Sequence, residues 1–547
     1  MKEYIVSLHN REDLDNFYND METEGGDLYI PDRAVDITNR RTISRNTHYM
    51  LTAEEAQTIK QDPRVFAVEL KELLELAIRP AYKVDNGNFD KTSSNDASDV
   101  NWGLLRHSEI TNRNNWGVDT TSNVIDDLTV TASGKNVDVI IVDGHIDPNH
   151  PEFAVNSDGT GGSRVQQFNW FQNDIGSGTG TYVYAPYIDS GDADRTSDNN
   201  HGAHCGGTVA GNTQGWARDA NIYNISPYTT NPNWNVNGFG STTMWDYIRQ
   251  WHNNKPINTN TGRRNPTITN NSYGSSIKQN EGIFGKVTSV TYRGTTTTDN
   301  NGLDVTTMQQ NGIYTFNETP VIPYYSTSIH TDIQDAIDDG IIIVYAAGND
   351  AWKIDTNGGQ DWNNTYTSTI NGSPWTEELH RGSGANVYSE SIVVGALSNN
   401  DNEDKAYFSN CGPRVDIYAA GQGIQSSVHN GGVTDPRNAG YDLEKLNGTS
   451  MASPQVAGVL AILAESWPSM TQQEAKDWLT NNSRTNLMYD TEADNAVDTN
   501  SLQGSPNRIL YWQNKRAAEG FTFPSINVAA RPSSGNVYPR TKVRRKG

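Results

Sequence analysis

One stretch limits what this 547-residue chain can fold into more than any other. Residues 137–142, VDVIIV, are apolar except for Asp138 and run straight into an acid, Asp143. A short apolar run of this kind reads as a strand buried on both faces, as in a parallel sheet covered by helices. Two later strings, NNHGAHCGGTVAG around His201 and NGTSMASPQVAG around Ser450, each read as the start of a helix of small residues. Glycines at 202, 206, 207 and 211, and the set Ala452, Ala457 and Gly458, let two helices and a bound backbone approach closely. Asp, His and Ser are also the three parts of a nucleophilic relay. A serine hydroxyl needs an imidazole to take its proton and a carboxylate to orient that imidazole.

In content and in the order Asp, His, Ser, these strings resemble those of the subtilisin-like serine proteases, and GTSMASP around Ser450 is the most specific of them. The resemblance runs from about residue 101 to about 483. It implies an α/β fold, a subtilisin-like parallel sheet with helices on both faces, and an endopeptidase working through Asp143, His201, Ser450 and an acyl-enzyme. IIIVYAAGND places Asn349 where the family holds a side-chain amide for the oxyanion, the second donor being the Ser450 backbone N–H. TITNNSYGSS, 267–276, resembles the segment whose main chain pairs with substrate, which makes Ser272, Tyr273 and Gly274 the substrate-binding candidates. The stretch from Tyr388, YSESIVVGALSNN and onward, matches core strands and turns.

The chain departs from the family pattern in places. Gly144 and His145 follow the acid where relatives have a small residue and then glycine; His145 reads as a packed or solvent-facing ring. His204 reads as structural, and Gln455 stands where many relatives carry histidine. Two cysteines are too few for a disulfide scaffold. Cys205, four residues after His201, falls on the same helix face, so its thiol is expected beneath the imidazole as a buried free thiol. Its HGxHC variant is that of the branch resembling proteinase K. Cys411 is too distant in sequence to assign as a partner.

The amino-terminal segment has its own pattern. Residues 2–8 read as a strand, 11–22 as a helix with an apolar stripe of Leu14, Phe17, Tyr18 and Met21, and 42–51 as a strand. Thr52 with Glu55 forms a capping box for a second helix closed by Pro63, and 62–72 gives a last strand. That order suggests a small ferredoxin-like α+β domain. It resembles the inhibitory propeptide of subtilisin-like proteases, through YIVSL and RVFAVEL; an unrelated regulatory domain of similar topology is the other reading. Residues 85–100 are polar and read as a linker, with self-cleavage expected between about 81 and 101. The domains read as 1–84 propeptide-like, 85–100 linker, 101–483 peptidase and 484–547 extension with a basic tail.

A net charge of −23 argues against nucleic acid or an anionic membrane as partner; the partners the resemblance implies are a peptide or protein substrate and the chain's own propeptide. The chemistry asks for no cofactor. Structural calcium is an expectation from the family; acidic loops such as 189–200 match no calcium-loop spacing. Insertions at about 277–326 and 351–387, the second with Trp352, Trp362 and Trp375, read as satellite cores or extra subsite walls. Residues 507–516 read as a strand or short helix, and 539–547 as a solvated basic tail. The first residues lead into a strand without the apolar stretch of a signal peptide, and no apolar run approaches bilayer length, so a soluble chain is expected. Release by lysis, including within a virus particle, or non-classical export would fit. A rival reading stays open: a latent or inactive structural or assembly protein that keeps a protease fold.

Overall fold

The computed structural model describes residues 1–30, 46–70, 82–83, 101–108, 129–130, 132–166, 168, 170, 200–225, 241–280, 284–315, 319–324, 327–383, 389–400, 403–494 and 500–512. The expected linker 85–100, the acidic loop 189–200 apart from Asn200, and the basic tail 539–547 lie outside the described residues. The chain divides into two units, Met1–Pro80 and Ala81–Gly547.

In the first unit, β1 (Lys2–Leu8), α1 (Leu14–Glu22), β2 (Asn46–Leu51), α2 (Ala53–Ile59) and β3 (Val65–Leu70) follow in the order the sequence predicts. β1 lies between β2 and β3, antiparallel to both. The stripe of α1, Leu14, Phe17, Tyr18 and Met21, is buried in one core with Val6, Tyr49 and Leu51. Thr52 and Glu55 cap α2 reciprocally: the Thr52 hydroxyl accepts from the Glu55 N–H at 3.2 Å and the Glu55 carboxylate from the Thr52 N–H at 2.7 Å.

The second unit is built on an eight-stranded sheet. Its strands are β4 (Asp138–Val142), β5 (Asn221–Ile225), β6 (Thr267–Asn271), β7 (Ile342–Ala346), β8 (Ile392–Leu397), β9 (Ile417–Ala420), β10 (Arg484–Thr485) and β11 (Arg508–Ile509). They lie in the order β10-β11-β9-β8-β7-β6-β4-β5, and every pairing is parallel except β10 with β11. β4 is buried along its whole length, as its composition predicts. Its one acid is tolerated because Asp138 accepts from Lys255 Nζ at 2.8 Å and from the Asn221 and Asn265 amides, each at 2.8 Å. From β4 the chain passes to β5 on one side and then to β6 on the other. This reversal opens a crevice beyond the carboxyl ends of the strands, where open α/β sheets bind ligands.

Two helices matter for that crevice, α3 (Asn200–Ala210) and α4 (Thr449–Ser466). α4 is buried on every side from Thr449 to Glu465, because the small and aliphatic side chains around it pack into the largest core cluster with Val209, Trp216 and Ile268.

The main sheet continues past residue 483. β10 and β11 extend the main sheet beyond that point, and Met488, Leu502 and Ile509 are buried with Val393 and Tyr418 of β8 and β9. The apolar outer strand β9 would otherwise present an open edge. Residues 507–516 therefore contain a short strand, β11. At the other end of the expected linker, Tyr82–Lys83 pairs with Thr129–Val130 inside the second unit.

The two insertions fold as one. Ser289–Tyr292 and Thr295–Thr298 from the first join Thr365–Ile370 and Ser373–Glu378 from the second in a four-stranded antiparallel sheet. Beneath it Trp352, Tyr366, Met308 and Ile313 form a core of their own, with Trp375 packed against it and Trp362 under the Arg381 guanidinium. No helix among the described residues is long and apolar enough to cross a membrane.

One buried ion pair secures the loop that follows Asp143. The Glu152 carboxylate, fully buried, accepts from the Thr213 and Gln214 N–H groups at 3.0 Å each and pairs with Arg437, which also holds Asp435. Arg437→Ala would leave that carboxylate buried and unpaired, so it should lower unfolding free energy by about 3–5 kcal/mol in a denaturant titration. A change within experimental error would show the pair to be dispensable.

Candidate active site

The carboxyl ends of adjacent strands bring the expected residues together. Asp143 directly follows β4, Ser272 directly follows β6, and Asn349 sits on the turn beyond the end of β7 at Ala346. His201 and Ser450 occupy the first turns of α3 and α4. The close seating of α3 depends on Gly202: a β-carbon there would stand 2.2 Å from the Gly144 carbonyl oxygen.

Asp143 is 1% exposed, and its carboxylate takes the Gly144 N–H at 2.7 Å and His201 Nδ1 at 2.8 and 3.0 Å. The His201 side chain is 34% exposed. With Nδ1 committed to the acid, Nε2 is the nitrogen left to exchange a proton. The neighbouring Asp143 charge holds the imidazole well above its ordinary value of 6.5, against the opposing effect of burial.

Ser450 is held by a backbone defect in its own helix. Pro454, four residues on, has no N–H to give the Ser450 carbonyl. That oxygen accepts instead from Ser272 Oγ at 3.0 Å and Cys205 Sγ at 3.3 Å, which ties α4 to β6 and to α3. The Cys205 sulfur also lies 4.0 Å from His201 Nδ1, beneath the imidazole as its spacing predicts. Burial pushes the thiol up, so it is protonated and a poor nucleophile. The Ser450 hydroxyl donates to the Ser272 carbonyl at 3.2 Å; among the described residues it makes no bond to His201. Such contacts are commonly unformed before substrate arrives.

Next to Ser450 in the chain, Thr449 already holds the Asn349 side chain in place. The Asn349 carbonyl oxygen accepts from the Thr449 N–H at 2.8 Å and the Thr449 hydroxyl at 2.9 Å, which fixes the orientation of the amide. A β-carbon on Gly448 would stand 3.4 Å from the Ser450 nitrogen and 3.5 Å from Asn349 Nδ2. The two donors named from the sequence thus flank one small space, kept open by the absence of a side chain at 448. Thr449 was not among the residues singled out from the sequence, although it stands inside the GTS string; its part shows only once Asn349 is folded against it.

The substrate-binding candidates divide. Ser272 is buried and its side chain faces inward, accepting from the Asn270 amide at 2.9 Å while donating to Ser450. Tyr273 accepts from the Tyr345 hydroxyl at 2.6 Å, and Gly274 is exposed but leaves no room for a side chain, since a β-carbon would stand 2.4 Å from Ser383 Oγ. His204 is fully buried, with Nε2 on the Ile424 and Glu444 carbonyls at 2.8 and 3.1 Å, and burial lowers it to about 3, as suits a structural ring. His145 is half-buried. Gln455 links the Trp216 indole N–H and Asn101, each at 2.8 Å.

Among the described residues, one group offers three metal-ligating atoms within 4.8 Å of one another: Asp143, His201 and Cys205. Its thiol and imidazole suit a soft ion and not calcium, which prefers oxygen ligands.

Comparison with known proteins gives a consistent picture. The subtilase family (peptidase S8) matches residues 134–506. A subtilisin-like serine protease of Penicillium citrinum, Pen c 2, is 24% identical over 370 residues, 67% of this chain and 55% of that protein. Alkaline serine exoprotease A of Vibrio alginolyticus is 22% identical over 464 residues, 84% of this chain and 57% of its own length. The chain spans about half the length of these curated relatives. A solved cold-adapted subtilisin-like serine proteinase aligns over 76% of this chain and 99% of its own, at 18% identity and a TM-score of 0.41.

The position of Cys205 has a chemical consequence. Stoichiometric mercurial at this thiol should displace the imidazole above it and block fluorophosphonate labelling of Ser450, while Cys205→Ala should be protected. Full labelling of the mercurated protein would rule this out.

Proposed function

We propose that this chain, which belongs to the subtilase family, is a serine endopeptidase that carries its own inhibitory propeptide. The observation that carries the reading is His201, with Nδ1 bonded to a buried carboxylate, its ring partly exposed, and beneath it Cys205, whose thiol reaches the Ser450 carbonyl. In this reading a substrate carbonyl enters the space beside Gly448. The Ser450 hydroxyl turns from the Ser272 carbonyl to His201 Nε2, gives up its proton and attacks. Asn349 Nδ2 and the Ser450 N–H take the negative charge that develops on oxygen; loss of one such donor in a member of this family costs about 10²–10³ in turnover. His201 then protonates the departing amine, and the acyl-enzyme is hydrolysed by a water that gives its proton to the same nitrogen. Asp143 holds the ring and supports its positive charge throughout.

Substrate would add as a strand along 272–274, using main-chain groups, since the side chains there are occupied or absent. The insertion sheet would wall the adjoining subsites. Residues 1–84 would serve as a ferredoxin-like propeptide, released by cleavage between about 81 and 101. The chemistry uses no cofactor, and a structural calcium ion, implied by the resemblance, takes no part in it.

The latent reading has one observation in its favour, the Ser450 hydroxyl bonded to Ser272 and not to His201. Labelling purified protein with a fluorophosphonate, beside Ser450→Ala, followed by intact mass, separates the two. Label on Ser450 with loss of about the first 80–100 residues is the expected result; no label and an uncut chain in both would favour the latent protein.

The pH profile provides a second test. A base must be neutral to accept a proton, so activity should be lost as pH falls through the His201 value. Because Asp143 raises that value, the acid limb of kcat/KM should lie above 6.5. Asp143→Asn should move the limb to lower pH and cut turnover by about 10⁴. An unmoved limb would mean that another group titrates.

A further inference from the structure

We infer that Asn410 is a positioning residue for the oxyanion loop, one that sets the Asn349 amide without touching substrate; this rests on the catalytic reading above. Asn349 is exposed on a bend between β7 and the second insertion, and it belongs to no strand among the described residues. The Asn410 side chain supplies fixed points on both sides. Its carbonyl oxygen accepts from the Asp350 N–H at 3.1 Å and the Trp352 N–H at 2.8 Å, and its amide donates to the Ala347 carbonyl at 2.9 Å. Its own backbone N–H donates to the Gly348 carbonyl at 2.9 Å. These bonds hold residues 347, 348, 350 and 352 and leave only Asn349 and Ala351 between them; the Ala351 N–H goes to the Phe408 carbonyl at 2.8 Å.

The loop is shaped around this side chain. Gly348 has φ +108, and a β-carbon there would stand 2.4 Å from Asn410 Nδ2, so both the backbone conformation and the close approach require glycine. Ala351 also sits at positive φ, +58, which turns the chain sharply enough for one amide group to reach the N–H groups of both 350 and 352. Asn410 is fully buried, and every polar atom of its side chain is used. Trp352 belongs to the insertion core, so Asn410 also joins that core to the loop. The Asn349 amide is then aimed from two directions, by Thr449 through its carbonyl oxygen and by Asn410 through its backbone. An oxyanion donor works by being preorganised, and a displacement well under a hydrogen-bond length weakens it.

The test compares Asn410→Ala and Asn410→Asp in the full chain, alone and combined with Asn349→Ala, on a peptide substrate. The folded active fraction comes from end-point fluorophosphonate labelling of Ser450. Asn410→Ala should lower kcat about 10- to 100-fold with KM within about twofold, approaching the loss expected for the donor itself. Asn410→Asp keeps the two accepting contacts but sets a carboxylate oxygen against the Ala347 carbonyl in place of the donated N–H, so it should recover only the part of the loss that the two accepted bonds account for. In the Asn349→Ala background, Asn410→Ala should change kcat by no more than about twofold, because the group it positions is already gone. A kcat unchanged in Asn410→Ala, a loss appearing in KM, or a loss that multiplies fully with that of Asn349→Ala would overturn the inference. If Asn410→Ala does not fold, Asn410→Asp carries the same comparison. A wild-type chain that labels nowhere and hydrolyses nothing would overturn the catalytic reading, and the inference with it.

Discussion

A parallel sheet places the carboxyl ends of all its strands along one edge, and the arrangement of this site follows from that constraint. Three neighbouring strands, β4, β6 and β7, deliver Asp143, Ser272 and Asn349 to the same crevice, although more than 200 residues separate Asp143 from Asn349. The first turns of helices α3 and α4 carry His201 and Ser450. The missing N–H of Pro454 then has a cross-linking effect, because a carbonyl that would have stayed inside α4 is shared between Cys205 and Ser272. Helices α3 and α4 and the end of β6 are therefore joined through one oxygen atom.

The insertions show how a polar, unpromising stretch becomes structure. The strands of the first are almost entirely threonine, serine and tyrosine. The two insertions are stabilised by each other, through the pairing of Ser289–Thr291 with Thr365–Thr367, and by the chain beyond 483. Arg293, at the turn of the first insertion, reaches both Asp361 of the second and Asp494 of the carboxyl-terminal segment at 2.7 Å, and Gln503 bonds the Tyr314 hydroxyl. An isolated surface pair contributes little, but Asp361 is buried and shared with Lys353, so this network is under greater constraint than its position suggests.

The sequence by itself determined the buried strand before Asp143, the helices opening at His201 and Ser450, the thiol beneath the imidazole and the element order of the first unit. Each of these is local: apolar period, a capping pair, or a four-residue helical spacing carries its own signal within a dozen residues. Only the tertiary structure decided that Ser272 turns its side chain inward, that two insertions share one sheet, that the sheet continues through Arg484 and Arg508, and that Asn410 grips the turn carrying Asn349. Those depend on hydrogen bonds between segments 58 or more residues apart. An asparagine in a loop reads the same whether it faces water or holds a backbone in place. The difference lies in which unpaired N–H and C=O groups the fold brings to it, and no local pattern records that.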